Sequence, residues 1–69
     1  MTDAPKYRVK VETIDEPVFG DDDASAIIWA RKTLTPKKSQ LSVDAKVYLF
    51  RPNGSLVDGF PMLVSEFLP

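Results

Sequence analysis

The sequence predicts a small α+β domain in which one helix packs on one face of a three-stranded, mainly antiparallel sheet. Three observations predict this class: some segments alternate apolar and polar residues, one segment has helical periodicity, and the C-terminal tail is unusually apolar. The predicted order of elements is β-α-β-β. A sheet with a single helix across it is the simplest arrangement that buries the apolar sides of these elements. It leaves the other face of the sheet open.

The length and composition predict that residues 1–69 form one domain with a thin core. The chain has 69 residues, of which 43% are hydrophobic and 28% charged, a balance typical of globular proteins. A domain of this size buries only about 60% of the surface of its unfolded chain. Cysteine is absent, no apolar run approaches the roughly 20 residues that span a bilayer, and the N-terminus lacks the apolar region of a signal peptide. We therefore expect a cytoplasmic protein without membrane contact.

The first strand is predicted at residues 7–13, where apolar or β-branched residues alternate with charged ones. Tyr7, Val9 and Val11 are expected to face the core. Residues 15–20 are predicted to form a loop, because a proline removes a backbone donor there and a glycine interrupts the pattern. Val18 and Phe19 of this loop are free to fold over the core.

The helix is predicted at residues 21–34, which contain the one tryptophan. Aspartates at its start supply N-cap oxygens and negative charge at the positive end of the helix dipole, and basic residues occupy its last turn. The side expected to contact the sheet, with Ile28 at its margin, consists of Ala24, Ile27, Ala30 and Leu34. Trp29 projects nearly opposite this side. It must therefore be covered by another segment, lie half exposed or contact a partner.

The second strand is predicted at residues 43–50, which again alternate in character. Val43, Ala45, Val47 and Leu49 are expected to face the core. The opposite side of this strand changes from charged to aromatic along its length.

The third strand is predicted at residues 56–60, after a hairpin turn that contains Asn53-Gly54. Pro61 makes this an edge strand, because proline has no backbone donor. The apolar tail, residues 62–69, is expected to dock on the domain, either as a further strand or against Trp29.

The charges are sorted along the chain, although the net charge is only −1. Residues 1–10 sum to +2, residues 11–23 to −6, residues 31–38 to +4 and the remaining residues to −1. We call the acidic residues of the second segment the acidic block: Glu12, Asp15, Glu16, Asp21, Asp22 and Asp23. They form either a solvated loop or an array of carboxylates that docks in a basic groove.

The residue types argue against an enzyme. Histidine, the commonest general base and metal ligand, is absent, and so is cysteine, the most nucleophilic side chain. A carboxylate pair such as Glu16 and Asp22 would need an enclosed pocket for acid–base work, and a thin core offers little enclosure. The three consecutive aspartates lack the spacing of an EF-hand loop. We therefore expect no catalytic residue, no cofactor and no metal ion.

The leading hypothesis is a non-enzymatic protein-binding module that presents the acidic block to a basic protein or protein complex. Large aromatic side chains would act as anchors. The predicted partner-binding residues are Glu12, Asp15, Glu16, Asp21, Asp22, Asp23, Trp29, Tyr48 and Phe50. In size, absence of cysteine and histidine, and sorted charge, the chain resembles phage-encoded inhibitors of host machinery, anti-CRISPR proteins among them. This resemblance in general character implies a stoichiometric inhibitor that blocks a nucleic-acid-handling complex.

Two other functions remain open. The face of the sheet away from the helix is expected to carry Arg8, Lys10, Lys46, Tyr48 and Phe50, and basic residues interleaved with aromatics are typical of modules that bind single-stranded nucleic acid. An isoelectric point of about 5.2 argues against nucleic acid as the partner. Alternatively, the chain is a small structural subunit that dimerises through its apolar tail. The sequence thus allows a monomer or a homodimer.

Overall fold

The computed structural model describes residues 6–68 and confirms the α+β class. These residues form four strands, two α-helices and one 3₁₀-helix. In chain order they are β1 (Lys6–Val11), β2 (Ile14–Phe19), α1 (Asp23–Leu34), the 3₁₀-helix (Thr35–Gln40), β3 (Lys46–Phe50), β4 (Met62–Leu63) and α2 (Val64–Phe67). Within this range, no helix is both long and apolar enough to span a bilayer.

Between residues 6 and 68 the sheet has four strands in the spatial order β2-β1-β3-β4, and all neighbours are antiparallel. The prediction of three strands in the order β-α-β-β is therefore wrong, and the described residues follow the order β-β-α-β-β-α, with the 3₁₀-helix directly after α1. The predicted loop at residues 15–20 lies mostly in β2, which pairs with β1 along its whole length. Pro17 is tolerated because β2 is an edge strand, where a missing donor costs no ladder hydrogen bond.

The predicted third strand at residues 56–60 is reduced to a single bridge between Leu56 and Phe50. The chain then turns at Gly59, whose φ of 91° lies in the left-handed region that glycine adopts without steric cost. The strand that pairs with β3 instead begins at Met62. The second predicted strand starts late as well, at Lys46, and Val43 is 67% exposed.

The core lies between one face of the sheet and α1. Tyr7, Val9 and Val11 are buried, as predicted, and so are Val47 and Leu49. Alternation at period two therefore predicted the correct inward side for both central strands.

Helix α1 contacts the core largely with the predicted side, and Ile27 packs partly buried against the core. Ala30 and Leu34 are buried as expected, but Ala24 and Ile28 are exposed and Ala26 is fully buried. Ala26 is buried where the helix approaches Gly20, at which a Cβ atom would lie only 2.7 Å from the backbone nitrogen of Ala26. The start of the helix thus approaches the backbone at the end of β2 through its small residues.

The apolar tail is packed into the domain over the described residues. Val64, Phe67 and Leu68 are buried, and the Phe67 ring meets Phe60 edge to face at 5.5 Å between centroids. Arg31 from α1 donates from Nε to the Phe67 carbonyl oxygen at 3.0 Å. The tail docks without burying Trp29, which is 48% exposed.

Candidate functional site

The face of the sheet away from α1 brings exposed cations and aromatic rings together. We call it the open face. Because side chains alternate along each strand and directly paired residues share a face, the registers define its members. They are Asp15, Pro17 and Phe19 from β2, Lys6, Arg8 and Lys10 from β1, Lys46, Tyr48 and Phe50 from β3, and Leu63 from β4.

A row of three cations runs along the middle of the open face. Lys6, Arg8 and Lys10 occupy alternate positions of β1 and are exposed. Successive members are separated by about 7 Å, the distance covered by two residues of a strand. The row is therefore a linear array of positive charge between two other strands.

Aromatic side chains lie on both sides of this row. Tyr48 and Phe50 from β3 are half-buried, and their rings are parallel within 5°, with centroids 6.1 Å apart. The Lys10 ammonium lies 5.8 Å from the centre of the Phe50 ring, within the range of a cation–π contact. On the other side, Phe19 is directly paired with Lys6 and is 54% exposed.

A cavity of about 260 Å³ opens beside the row, at the end of β3. Its lining residues are Lys6, Arg8, Lys10, Phe50, Arg51, Pro52 and Gly54. The turn that closes this end is fixed by two backbone hydrogen bonds, from Arg51 N to Ser55 O at 2.7 Å and from Gly54 N to Arg51 O at 2.8 Å. Gly54 has a φ of 93°, a conformation that favours glycine.

Arg51 is held at the edge of this cavity by Asp23 at the start of α1. Its Nη2 donates to Asp23 Oδ2 at 2.8 Å and its Nε to Oδ1 at 3.2 Å. Tyr7 donates its hydroxyl to the same Oδ1 at 2.8 Å. The Arg51 guanidinium, followed by the Tyr7 hydroxyl, lowers the pKa of Asp23, while the hydrogen bond to Asp23 and burial raise the pKa of Tyr7.

One carboxylate of the acidic block, that of Asp15, lies on the open face itself. Its Oδ1 accepts from Arg8 Nε at 3.0 Å, and its Oδ2 lies 3.8 Å from Lys10 Nζ. All three side chains are about half exposed. Asp15 therefore acts as an internal counterion for two members of the cationic row.

The rest of the acidic block is divided among other surfaces. Glu12, in the turn between β1 and β2, accepts hydrogen bonds from the backbone and the hydroxyl of Ser42. Glu16 lies on the opposite side of β2 from Asp15 and pairs with Lys37 of the 3₁₀-helix. The six carboxylates of the block therefore do not form one continuous surface.

Asp21 and Asp22, the first two of the three consecutive aspartates, are exposed. Asp22 is the N-cap of α1 and accepts from Ser25 N at 2.8 Å. Asp21 makes no side-chain hydrogen bond or ion pair with any residue between 6 and 68. Both are available to solvent at the start of the helix.

Trp29 lies on the outer side of α1, away from Tyr48 and Phe50. Its neighbour Ile28 is 52% exposed, and the Lys32 ammonium lies 5.3 Å from the indole ring centre. The three aromatics predicted as partner anchors are thus split between two surfaces, one on the helix and one on the sheet.

Comparisons of the chain with protein families, with curated protein sequences and with solved structures find no match. In the part of the chain that the structure describes, no group of three acidic side chains is arranged to hold a metal ion. The function is therefore inferred from the side chains of the open face and of helix α1.

Sequence reasoning misses three members of the candidate site: Lys6, Phe19 and Arg51. Phe19 falls in the predicted loop, although residues 14–19 alternate and place it on the same side as Asp15. Arg51 directly follows the predicted second strand, and no local pattern reveals its pairing with Asp23, which lies 28 residues away in sequence. Lys6 lies two residues before Arg8, so extending the alternation by one step would have placed it on the same side of the strand as Arg8 and Lys10.

Proposed function

We propose that the protein binds single-stranded nucleic acid through its open face. The observation that supports this best is the cross-strand pairing of Arg8 with Phe50 and of Lys10 with Tyr48. Each pair sets a cation beside an aromatic ring on an exposed sheet. Proteins that bind single strands combine the same two elements, since cations contact the phosphates while bases stack on aromatic rings.

The local charge suits this partner better than the charge of the whole chain does. The open face carries four cations, Lys6, Arg8, Lys10 and Lys46, and one carboxylate, that of Asp15, which gives it a net charge of +3. Most of the other acidic residues lie on different surfaces. The acidic isoelectric point therefore does not describe the surface that would meet the ligand.

The aromatic pair favours a single strand over a duplex as the ligand. Bases can stack on a side chain only where they are free of their neighbours, as in loops and unpaired strands. Tyr48 and Phe50 form two adjacent rings in one line, and Phe19 provides a third on the far side of the cations. This arrangement fits a short unpaired segment laid across the sheet.

A fluorescence-polarisation titration with a labelled single-stranded oligonucleotide at low salt tests the proposal. We expect binding that weakens with salt, because phosphate contacts release counterions. Tyr48→Ala should weaken it at least about fivefold, the lower end of the range for loss of one stacked base. Lys10→Gln should also weaken it.

Matched controls lie off the open face. Trp29→Ala removes an exposed aromatic from α1, and Lys38→Gln removes an exposed cation from the 3₁₀-helix. Both should retain wild-type affinity. Absence of binding at low salt, or equal losses in controls and open-face variants, would refute the proposal.

A second candidate is the protein-binding module, acting as an inhibitor of a nucleic-acid-handling complex. It is favoured by the outer side of α1, where Ile28 and Trp29 are adjacent and about half exposed. Asp22 precedes Trp29 by seven residues, two helical turns, so both lie on the same side of the helix. A basic partner with an apolar cleft would match this combination.

The two candidates respond differently to the same variants. Protein binding through α1 should be lost in Trp29→Ala and weakened in Asp21→Asn/Asp22→Asn, and it should be insensitive to Tyr48→Ala. Asparagine at position 22 still caps the helix, so the double variant removes charge with little loss of structure. Asp23 is left unchanged because it holds Arg51.

The alternative of a dimerising subunit depends on the apolar tail. Val64, Phe67 and Leu68 are buried within the chain itself. This segment therefore offers little apolar surface to a second copy.

A further inference from the structure

The charged side chains that line the cavity are all hydrogen-bond donors. Lysine has three donors and no acceptor, and arginine has five donors and no acceptor. Arg51 already directs its donors to Asp23, Ser55 and Leu56. The side chains that favour a ligand group offering only acceptor oxygens are therefore Lys6, Arg8 and Lys10. The Phe50 ring forms the remaining large side chain of the wall.

Positive charge remains after the internal ion pairs are counted. Four cations line the cavity, and two carboxylates contact them directly: Asp15 pairs with Arg8, and Asp23 pairs with Arg51. This leaves a net charge of +2. Asp58 is fully exposed and approaches Arg51 only to 3.9 Å, where solvent screens it.

The cavity lies where a strand bound along the aromatic pair would end. Pairing between β1 and β3 extends as far as Arg8 and Phe50, and β3 then gives way to the turn at residues 51–55. A strand stacked first on Tyr48 and then on Phe50 would meet Pro52 and Gly54 of this turn. The volume of about 260 Å³ accommodates a phosphate with several waters, since each water occupies about 30 Å³.

We propose that this cavity holds the terminal phosphate of a bound strand, so that the protein prefers phosphorylated ends to hydroxyl ends. This inference rests on the proposed binding of single-stranded nucleic acid. A terminal phosphate carries a charge of about −1.5 to −2 at neutral pH and has three acceptor oxygens. It therefore matches the net charge of +2 better than an internal phosphodiester, which carries a single charge.

The test compares three oligonucleotides of one sequence, with a 5′-phosphate, a 3′-phosphate or hydroxyl groups at both ends. An internal label keeps both ends free. One of the phosphorylated strands should bind about tenfold more tightly than the hydroxyl strand, as expected for one added charge-assisted hydrogen bond. The end that increases the affinity shows the direction in which the strand lies on the sheet.

Two variants of the same kind separate the cavity from the rest of the open face. Lys6→Gln removes a cation that lines the cavity and should reduce the preference for the phosphorylated end to about twofold or less. Lys46→Gln removes a cation of the open face that does not line the cavity. It should weaken binding of all three strands by the same factor and leave the preference intact.

The outcomes distinguish this inference from the function on which it rests. Equal affinity for the three strands would overturn the terminal-phosphate site and leave binding by the open face in place. A preference for the phosphorylated end that survives Lys6→Gln and disappears in Lys46→Gln would also overturn the terminal-phosphate site. If none of the strands binds at low salt, the proposed function fails, and the terminal-phosphate site fails with it.

Discussion

Arg51 and Asp23 form an ion pair with two short contacts, at 2.8 and 3.2 Å, that joins the end of β3 to the first residue of α1. Arg51 also donates to the Leu56 carbonyl oxygen at 2.7 Å. One guanidinium thus connects the helix, the sheet and the turn that closes the cavity. We expect this ion pair to matter both for stability and for the shape of the candidate site.

Stability should fall in acid partly because of Asp23. Its pKa is held below the ordinary value of 3.8, first by Arg51 and then by Tyr7. A carboxyl group with a lowered folded-state pKa contributes stability that is fully present above its unfolded-state pKa and is lost as the pH falls through the folded value. Asp23→Asn should therefore lower the thermal midpoint at pH 7 and flatten its decline below pH 4.

The control for this acid effect is Asp21→Asn, because Asp21 has no side-chain partner among residues 6–68. Thermal melts followed by circular dichroism between pH 2 and 7 measure both variants. A decline in acid that is as steep in Asp23→Asn as in the wild type would contradict the assigned role of the ion pair.

Tyr7 should limit stability at the alkaline end. The hydrogen bond to Asp23 and burial raise its pKa above the ordinary value of 10.0. The protonated phenol is therefore favoured in the folded state, and its contribution is lost as the pH rises through the raised value. Tyr7→Phe should reduce the fall in the thermal midpoint above pH 10, with Tyr48→Phe as the control on the other face of the sheet.

Removal of the Asp15 charge should strengthen binding of single-stranded nucleic acid. Asp15 pairs with Arg8 and lies near Lys10, so a nucleic-acid phosphate must compete with its carboxylate. Asp15→Asn should raise the affinity for single strands by up to about fivefold, because exposed ion pairs of this kind are worth only up to about 1 kcal/mol.

The salt dependence of binding is a second measurement on the same variant. The slope of log K against log salt should steepen by about 0.7 for each additional phosphate that the protein neutralises. Glu12→Gln neutralises a carboxylate in the β1–β2 turn and should change neither affinity nor slope. Weaker binding by Asp15→Asn would show that Arg8 and Lys10 need Asp15 for their placement.

The same substitution at two phenylalanines should lower the free energy of unfolding by very different amounts. Phe67 is fully buried, so Phe67→Ala should cost about 3–5 kcal/mol in the free energy of unfolding. Phe19 is 54% exposed on the open face, so Phe19→Ala should cost about 1 kcal/mol or less. Urea titrations followed by circular dichroism measure both.

Binding of single-stranded nucleic acid should depend on Phe19 and not on Phe67. Phe19→Ala should weaken the complex with a single strand because it removes one ring of the open face. Phe67→Ala should leave the affinity of its folded fraction unchanged, since Phe67 lies in the core. Equal effects of the two substitutions on stability would show that Phe19 is packed more tightly than its exposure indicates.

Gly20→Ala should be costly although Gly20 does not need a positive φ. Its Cβ would lie 2.7 Å from the backbone nitrogen of Ala26, and backbone cannot move aside as a flexible side chain can. We expect a loss of about 1–3 kcal/mol in the free energy of unfolding. Gly54→Ala has open space around the new atom and should cost about 1 kcal/mol through backbone strain alone. A smaller loss in Gly20→Ala than in Gly54→Ala would contradict this order.

The sequence alone predicts the features of the fold that depend on a local pattern of residues. Alternation places Val9 and Val47 in the core, the aspartates mark the start of α1, and the apolar character of the tail indicates that it docks. The shared outward parity of Arg8 and Phe50 likewise places them on one face. In each case the relevant residues are close in sequence or share a simple period.

The remaining features depend on contacts between distant residues. The burial of Ala26 is missed because its close approach to Gly20 is not visible in helical periodicity. The acidic block looks continuous in sequence, whereas in the fold Glu16 and Asp23 turn to separate cations, Lys37 and Arg51. Such pairings are set by tertiary structure, which a one-dimensional charge pattern does not contain.

Pro17 hides β2 from sequence interpretation, and its position also affects how the protein behaves in concentrated solution. A strand at the border of a sheet can recruit strands from other molecules, which leads to fibres. Here the border strand β2 carries a residue without an N–H group near its middle and charged residues next to it. The opposite border, β4, is only two residues long. Within residues 6–68, both borders of the sheet are thus poor templates for strand addition, even though the open face between them exposes aromatic rings.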